Sequence, residues 1–265
     1  MPYLTVPDGG PELFYTDQGS GRPILLIHGL TCDGSDWAWL ASALSRDHRT
    51  IVVDTRGHGR SSAVAGQYDV SALAADCLAV ITQLGLDRPV IVAHSMGALP
   101  AVRLAVRHAD AVSGLVLVDP GYGRPDDDAQ QVAALVSAAP HEAMRRVFAG
   151  FHVPLTPDWL RWWHLRRVMG TPEDVITSTL RGAWLGPDAL GIRSVAGAEL
   201  PKITAPRLVL YAGINTDRYH WERALPHPAD DELELWPDNG HFLHQEAPER
   251  FENRLRAWLT TRGLG

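Results

Sequence analysis

The run Pro89-Val90-Ile91-Val92-Ala93-His94-Ser95-Met96-Gly97-Ala98 carries more structural information than any other stretch of the chain. Residues 90–93 are apolar without in–out alternation, which reads as a strand buried on both faces. Residues 98–108 are apolar nearly all round, which reads as a buried helix. The change from strand to helix falls at Ser95. A sharp turn of that kind lifts the junction side chain clear of the backbone and aims the amides of the helix start at it. Small residues are needed where the turn is tightest, and Ala93 and Gly97 flank the serine. This is a partial match to Gly-x-Ser-x-Gly, with Ala in place of the first Gly. Ser95 is therefore a candidate nucleophile; the plain alternative is a serine that caps a helix.

Working outward, the same buried-strand pattern recurs in Pro23-Ile24-Leu25-Leu26-Ile27, Thr50-Ile51-Val52-Val53 and Leu115-Val116-Leu117-Val118. Between them, residues 69–84 place Val70, Leu73, Ala74, Cys77, Ile81 and Leu84 on one helical stripe, with Gly85 as its C′ residue. Residues 4–16 read as two short strands about the turn Asp8-Gly9-Gly10-Pro11. Repeated strand–helix–strand units predict an α/β fold with a doubly wound, mostly parallel sheet, whose ligands gather beyond the carboxyl ends of the strands. From 121 to 204 no strand-like run occurs; Asp126-Asp127-Asp128 opens a helical stretch that holds Trp159, Trp162, Trp163 and Trp184. The strand rhythm returns with Arg207-Leu208-Val209-Leu210-Tyr211 and Leu233-Glu234-Leu235-Trp236, followed by a helix carrying Phe251, Leu255, Trp258 and Leu259. The expected division is a core of residues 1–120 and 205–265 with a helical cap inserted at 121–204.

Composition narrows the function classes. The 265 residues carry 24 Lys+Arg against 31 Asp+Glu, a formal charge of −7, which argues against nucleic acid and anionic membranes as partners. Hydrophobic residues at 45% and charged residues at 21% are an ordinary globular mix. The first residues lack a basic segment followed by an apolar run, and no apolar stretch reaches the ~18 residues of a membrane span, so a cytoplasmic protein is expected. Cys32 and Cys77 form no Cys-x-x-Cys pair, which leaves a disulfide framework or structural zinc unsupported; both are read as reduced, Cys77 in a core.

Two further strand ends point at Ser95. Ile27-His28-Gly29-Leu30-Thr31 ends the first buried strand, where the backbone N–H of Leu30, paired with that of Met96, could form an oxyanion hole. His28 itself is read as structural. Pro237-Asp238-Asn239-Gly240-His241-Phe242-Leu243-His244-Gln245-Glu246-Ala247-Pro248-Glu249 lies between the last strand and the last helix. From such a loop His241, following Gly240, can take a proton from Ser95 as general base. His244 is the competitor, read instead as a satisfied histidine near a helix start, with Glu246 and Glu249 as helix caps. Acyl transfer to water by these groups requires no metal and no organic cofactor.

With these motifs in place the chain resembles the α/β-hydrolase family, in its ester- and lactone-hydrolysing branch with a helical cap. The likeness runs in family order through His28-Gly29, Asp54-Thr55-Arg56-Gly57-His58-Gly59-Arg60-Ser61, His94-Ser95-Met96-Gly97 and Gly240-His241. It makes the Asp54 segment a structural turn; the segment also lacks the spacing of a phosphate loop. Most relatives place the triad acid just after the strand that follows the cap, where this chain has Asn215, with Asp217 two residues on. Asparagine cannot supply the charge. The other family position ends the strand before the cap, here Asp119, whose backbone Pro120 restricts toward extended geometry. Asp119 is preferred over Asp217; the plain alternatives are a non-catalytic aspartate and a solvated loop carboxylate. This acid placement is similar to that of zearalenone-type lactonases, which also have a cap tryptophan facing the lactone. The resemblance implies a serine hydrolase acting on an ester or lactone of a small hydrophobic substrate. Trp184 is offered as a pocket residue, while two or three of the four tryptophans are expected to hold the cap onto the core. Hydrolysis of a diketone carbon–carbon bond uses the same triad, and a hydrolase-like ligand receptor with little turnover is the reading from another class.

Overall fold

The computed structural model describes residues 2–186 and 188–265. Its sheet has eight strands: β1 (Tyr3–Thr5), β2 (Glu12–Gln18), β3 (Pro23–Ile27), β4 (Arg49–Val53), β5 (Val90–His94), β6 (Gly114–Val118), β7 (Arg207–Ala212) and β8 (Glu232–Trp236). They lie in the order β1-β2-β4-β3-β5-β6-β7-β8. The amino-terminal hairpin pairs antiparallel, with Tyr3 opposite Phe14, and β2 runs antiparallel to β4. Every other pairing is parallel. The doubly wound, mostly parallel α/β sheet expected from the sequence is present.

The absence of alternation in these strands has a direct cause. Successive side chains point to opposite faces, and here each face meets its own apolar layer. Leu25, Ile27, Ile91, Ala93, Leu115 and Leu117 belong to one core, and Ile24, Leu26, Val90, Val92, Val116 and Val118 to the other. Three core helices lie early in the chain: α1 (Ala38–Leu44), α2 (Val70–Gln83) and α3 (Ala98–Arg107). Asp69 caps α2 by accepting from the Ala72 amide, and Gly85 follows at φ +59°, the left-handed C′ geometry its position predicted.

Between β6 and β7 the described residues form helices α4 (Asp126–Ala138), α5 (Pro140–Phe151), α6 (Asp158–Gly170), α7 (Glu173–Trp184) and α8 (Arg193–Glu199), with short turns and one isolated bridge between Arg124 and Ile192. The chain then adds α9 (Thr216–Arg223), α10 (Leu243–Glu246) and α11 (Pro248–Thr261). Helices α1 and α11 cover the second core through Leu40, Leu44, Phe251, Leu255, Trp258 and Leu259. Two helices go beyond the sequence reading. Helix α1 is short and entered through a 3-10 turn whose start Asp33 caps at the Ser35 amide. Helix α9 carries so little apolar surface that no periodic signal marks it.

Gly97 has ordinary helical φ, −62°, so its need is space: a Cβ there would stand 2.4 Å from the His28 carbonyl oxygen. Gly97→Ala is expected to cost about 2 kcal/mol, because the obstruction is backbone, and to lower Tm by about 5 °C. Calorimetry of the pair checks this; an unchanged Tm would contradict the close approach.

Candidate active site

Parallel register brings the predicted residues together. His94 on β5 pairs with Val118 on β6, so the next residues, Ser95 and Asp119, leave the sheet side by side at its carboxyl edge. Both have positive φ, +52° and +41°, as does Thr31 (+59°) beyond β3, so Asp119 departs from the extended geometry expected of a residue before Pro120. Such values are uncommon for non-glycine residues and cluster where local strain serves a site.

From β8 the loop after Trp236 carries His241 back over the strand ends. Its Nδ1 lies 2.5 Å from Asp119 Oδ2 and its Nε2 2.8 Å from Ser95 Oγ. With Nδ1–H donating to the carboxylate, Nε2 is left to accept from the serine hydroxyl. Asp119 is fully buried. Its Oδ1 accepts from the Ala212 amide at 2.9 Å and its Oδ2 from Asn215 Nδ2 at 2.7 Å. Thus Asn215, which occupies the position where the family resemblance expected an acid, donates to the acid on the neighbouring strand. Asp217 lies outside this cluster: it is exposed, sits in the first turn of α9 and pairs with Arg193.

Leu30 and Met96 line the same cavity as Ser95. His28 determines the direction of the Leu30 peptide. Because Thr55 N–H donates to His28 Nε2 at 3.0 Å, the ring proton is on Nδ1, which donates to the Gly29 carbonyl at 2.7 Å. A trans peptide sends its N–H opposite to its C=O, so the Leu30 N–H is turned away from His28. Gly29 has no room for a side chain: a Cβ would lie 3.0 Å from Ser95 Cβ and 3.1 Å from His94 Nδ1. The structural role read for His28 is therefore specific, since it orients a peptide beside Ser95.

The His241 loop is held from two sides. His94 Nε2 donates to the His241 carbonyl at 3.0 Å from the nucleophile strand. From the insertion, the Phe151 carbonyl accepts from the His241 amide at 3.0 Å, and the Phe151 ring lies 4.0 Å from the imidazole, centroid to centroid. Glu246 was expected to cap a helix. Instead it accepts from the Gly240 amide at 2.7 Å and the Thr156 hydroxyl at 2.5 Å, tying the loop to the insertion. Glu249 does lie in the first turn of α11. His244 also departs from its reading: among the described residues neither ring nitrogen has a partner, and the ring packs 4.5 Å from Trp37 and 4.6 Å from His94. Burial holds its pKa well below the usual histidine value, so it is a neutral core side chain.

Ser95 and His241 open onto a cavity with about 670 Å³ of space free of protein atoms, its mouth included. Val136, Met144 and Phe148 from the insertion and Met96 from the core make it largely apolar. Trp184 lines it, as the sequence reading proposed. Of the four tryptophans, two or three of which were expected to anchor the insertion, Trp159 and Trp162 are exposed, Trp163 donates to Asp36 Oδ1 at 3.1 Å and Trp184 packs within the main apolar core. An unbroken Trp-rich helix can present its rings to either side, and periodicity alone does not choose.

The family follows from this arrangement and from comparison. The model of the alpha/beta hydrolase family matches residues 24–254, and the chain belongs to that family. It is 43% identical over 120 residues to a non-heme haloperoxidase from Rhodococcus erythropolis, covering 44% of this chain and 43% of that protein. The match therefore spans less than half of that relative's length. Among solved structures, an esterase from Thermogutta terrifontis superposes with a TM-score of 0.84 at 24% identity, covering 99% of both chains. Est816, an N-acyl homoserine lactone degrading enzyme, superposes with a TM-score of 0.82 at 25% identity, covering 97% of this chain and 99% of that one.

Two predictions follow from the buried polar groups. Desolvation lowers His58 and His164 to about 3. The unfolded chain, with histidines near 6.5, then binds more protons than the folded one once the pH falls below that value. Their contribution is complete above pH 6.5 and each loses about 1.4 kcal/mol per pH unit on acidification toward 3. Urea midpoints should fall between pH 7 and pH 5, and a flat profile would contradict neutral burial. Glu246→Ala leaves the Gly240 amide and the Thr156 hydroxyl without their acceptor, at about 1–3 kcal/mol, and should accelerate hydrogen exchange at Gly240 and His241. Unchanged exchange would show that the clamp is dispensable.

Proposed function

We propose that the protein is a serine hydrolase that cleaves a carboxylic ester or lactone of a small, largely hydrophobic substrate through an acyl-enzyme. The observation that carries this reading is the continuous chain from buried Asp119 through His241 to Ser95, ending on a serine of positive φ that faces an apolar cavity. In the proposed sequence His241 Nε2 accepts the Ser95 hydroxyl proton as Oγ bonds to the carbonyl carbon. The carbonyl oxygen takes the electron pair as an oxyanion, stabilised by the Leu30 and Met96 amides. Asp119 holds the imidazole tautomer and stabilises the imidazolium. Collapse breaks the acyl carbon–oxygen bond, and the departing alkoxide takes the proton from His241. Water, deprotonated by His241, then repeats the attack, Ser95 regains its proton and the carboxylic acid leaves. In a lactone the alcohol stays attached to the acyl group through the first half.

The helical insertion, residues 121–204, serves as a lid in this reading, and Trp184 is part of the wall against which the acyl or alcohol portion packs. Relatives that include an esterase and a lactone-degrading enzyme support the substrate class. The test is turnover of p-nitrophenyl esters by wild type, Ser95→Ala, Asp119→Asn and Asp217→Asn without added metal. Asp119→Asn should lower kcat by about 10⁴, and Ser95→Ala by at least as much. Asp217→Asn, which removes an exposed ion pair, should change it less than about twofold. Retained turnover in Ser95→Ala, or loss in Asp217→Asn with Asp119→Asn unaffected, would overturn the assignment. Product identity separates the carbon–carbon alternative, which would release a ketone in place of an alcohol.

A further inference from the structure

Among the described residues, the buried and half-buried arginines are, with two half-buried exceptions, matched to carboxylates. Arg56 pairs with Asp76 at 2.6 Å, Arg103 with Asp188 and Glu199, Arg167 with Asp33 at 2.6 Å, and Arg207 with Glu222 and Asp231. The exceptions line the cavity that holds Ser95 and His241. Among the described residues, Arg124 makes no side-chain hydrogen bond and no ion pair, and its Nε is buried without a partner. Its guanidinium stacks 4.7 Å from the Trp184 ring. Arg218 reaches the Pro120 carbonyl at 3.4 Å and, among the described residues, has no carboxylate within ion-pair distance. The two are close enough to repel: burial, with Arg218 as the next cause, lowers Arg124 to about 10, which still leaves it charged at neutral pH.

An unpaired charge in an apolar enclosure is costly, and two of like sign cost more. The rest of the chain shows the usual remedy, a carboxylate in contact. Among the described residues lining this cavity no carboxylate fills that role; Asp128, which favours the charged form of Arg124, is exposed and lies outside ion-pair distance. The chain is acidic overall, at −7, so a locally cationic chamber is contrary to its general charge. Two guanidinium groups, one held over an indole ring, present the planar forked donors that match a carboxylate bidentately. We propose that Arg124 and Arg218 form a subsite for a carboxylate carried by the substrate. The ester or lactone is then the monoanion of an acid whose apolar segment packs against the insertion. This assignment rests on the hydrolase reading for its chemistry, and on the unpaired cations for its charge. Stacking on Arg124 gives Trp184 a second task, since it positions the guanidinium and also walls the cavity.

The experiment compares mono-p-nitrophenyl adipate with its methyl-capped neutral counterpart on wild type, Arg124→Met and Arg218→Gln. Wild type should prefer the anion in kcat/KM by about 10- to 100-fold, the range of charged hydrogen bonds, with most of the difference in KM. In either variant the ratio should fall toward one. A second measurement is independent of turnover: adipate itself should raise the Tm of wild type and of Ser95→Ala, and fail to do so in the arginine variants. Arg124→Met should melt no lower than wild type, because it removes an uncompensated charge; a guanidinium needed only for structure would leave it less stable. Adipate stabilisation lost with the arginines, without hydrolysis of either ester, would keep the subsite and overturn the hydrolase reading. Equal turnover of the two esters by wild type, without stabilisation by adipate, would keep the hydrolase and overturn the subsite.

Discussion

The parallel pairing of β5 with β6 is the constraint on which the site depends. Because His94 is in register with Val118, the residues that follow them emerge together, and both turn at once into positive φ. A slip of one residue would send Ser95 or Asp119 to the opposite face. The strand between Asp119 and the His241 loop is β7, and it supplies the hydrogen bonds that hold the carboxylate: the Ala212 amide from its last residue and the Asn215 side chain just beyond. Sheet order is thus converted directly into an order of contacts along the carboxyl edge.

The insertion is joined to this edge by polar bonds as well as by packing. Phe151 gives its carbonyl to the His241 amide and its ring to the imidazole, and Thr156 donates to the Glu246 that also holds Gly240. A Cβ on Gly240 would meet the Phe151 carbonyl at 2.4 Å, so the glycine is needed for the insertion to approach the loop. The position of His241 therefore depends on residues from both parts of the chain, and displacement of α5 would disturb the imidazole as well as open the cavity.

Buried charge is handled in two ways. Away from the cavity, Arg56, Arg103 and Arg207 each pair with a carboxylate, which ties distant segments together without leaving a charge uncompensated. The buried His94 and His244 are kept neutral by desolvation and serve as hydrogen-bonding and packing elements respectively. Among the described buried and half-buried arginines, those left without a carboxylate, Arg124 and Arg218, line the cavity, which is the arrangement expected of groups that complete their coordination with a ligand.

Much of this was legible in the chain. Strand and helix positions follow from local periodicity and turn chemistry, and the observed limits of β3, β5, α2 and α3 differ from that reading by a residue or less. The placement of Ser95 and His241 was equally local, since a small-residue turn and a glycine-flanked loop are each written in a few consecutive residues. Which of Asp119 and Asp217 lies beside His241 was not local: it depends on β6 and β7 being neighbours, and the sequence resemblance could only rank the two. The outward direction of Trp159 and Trp162, the clamp made by Glu246 and the isolation of Arg124 and Arg218 had no sequence signal at all. Sequence by itself determined what is short-range, namely backbone conformation and the residues at each strand end. Tertiary structure alone decided which side chains meet and which charges go unpaired, because those depend on contacts between residues up to more than a hundred positions apart, such as Asp119 and His241.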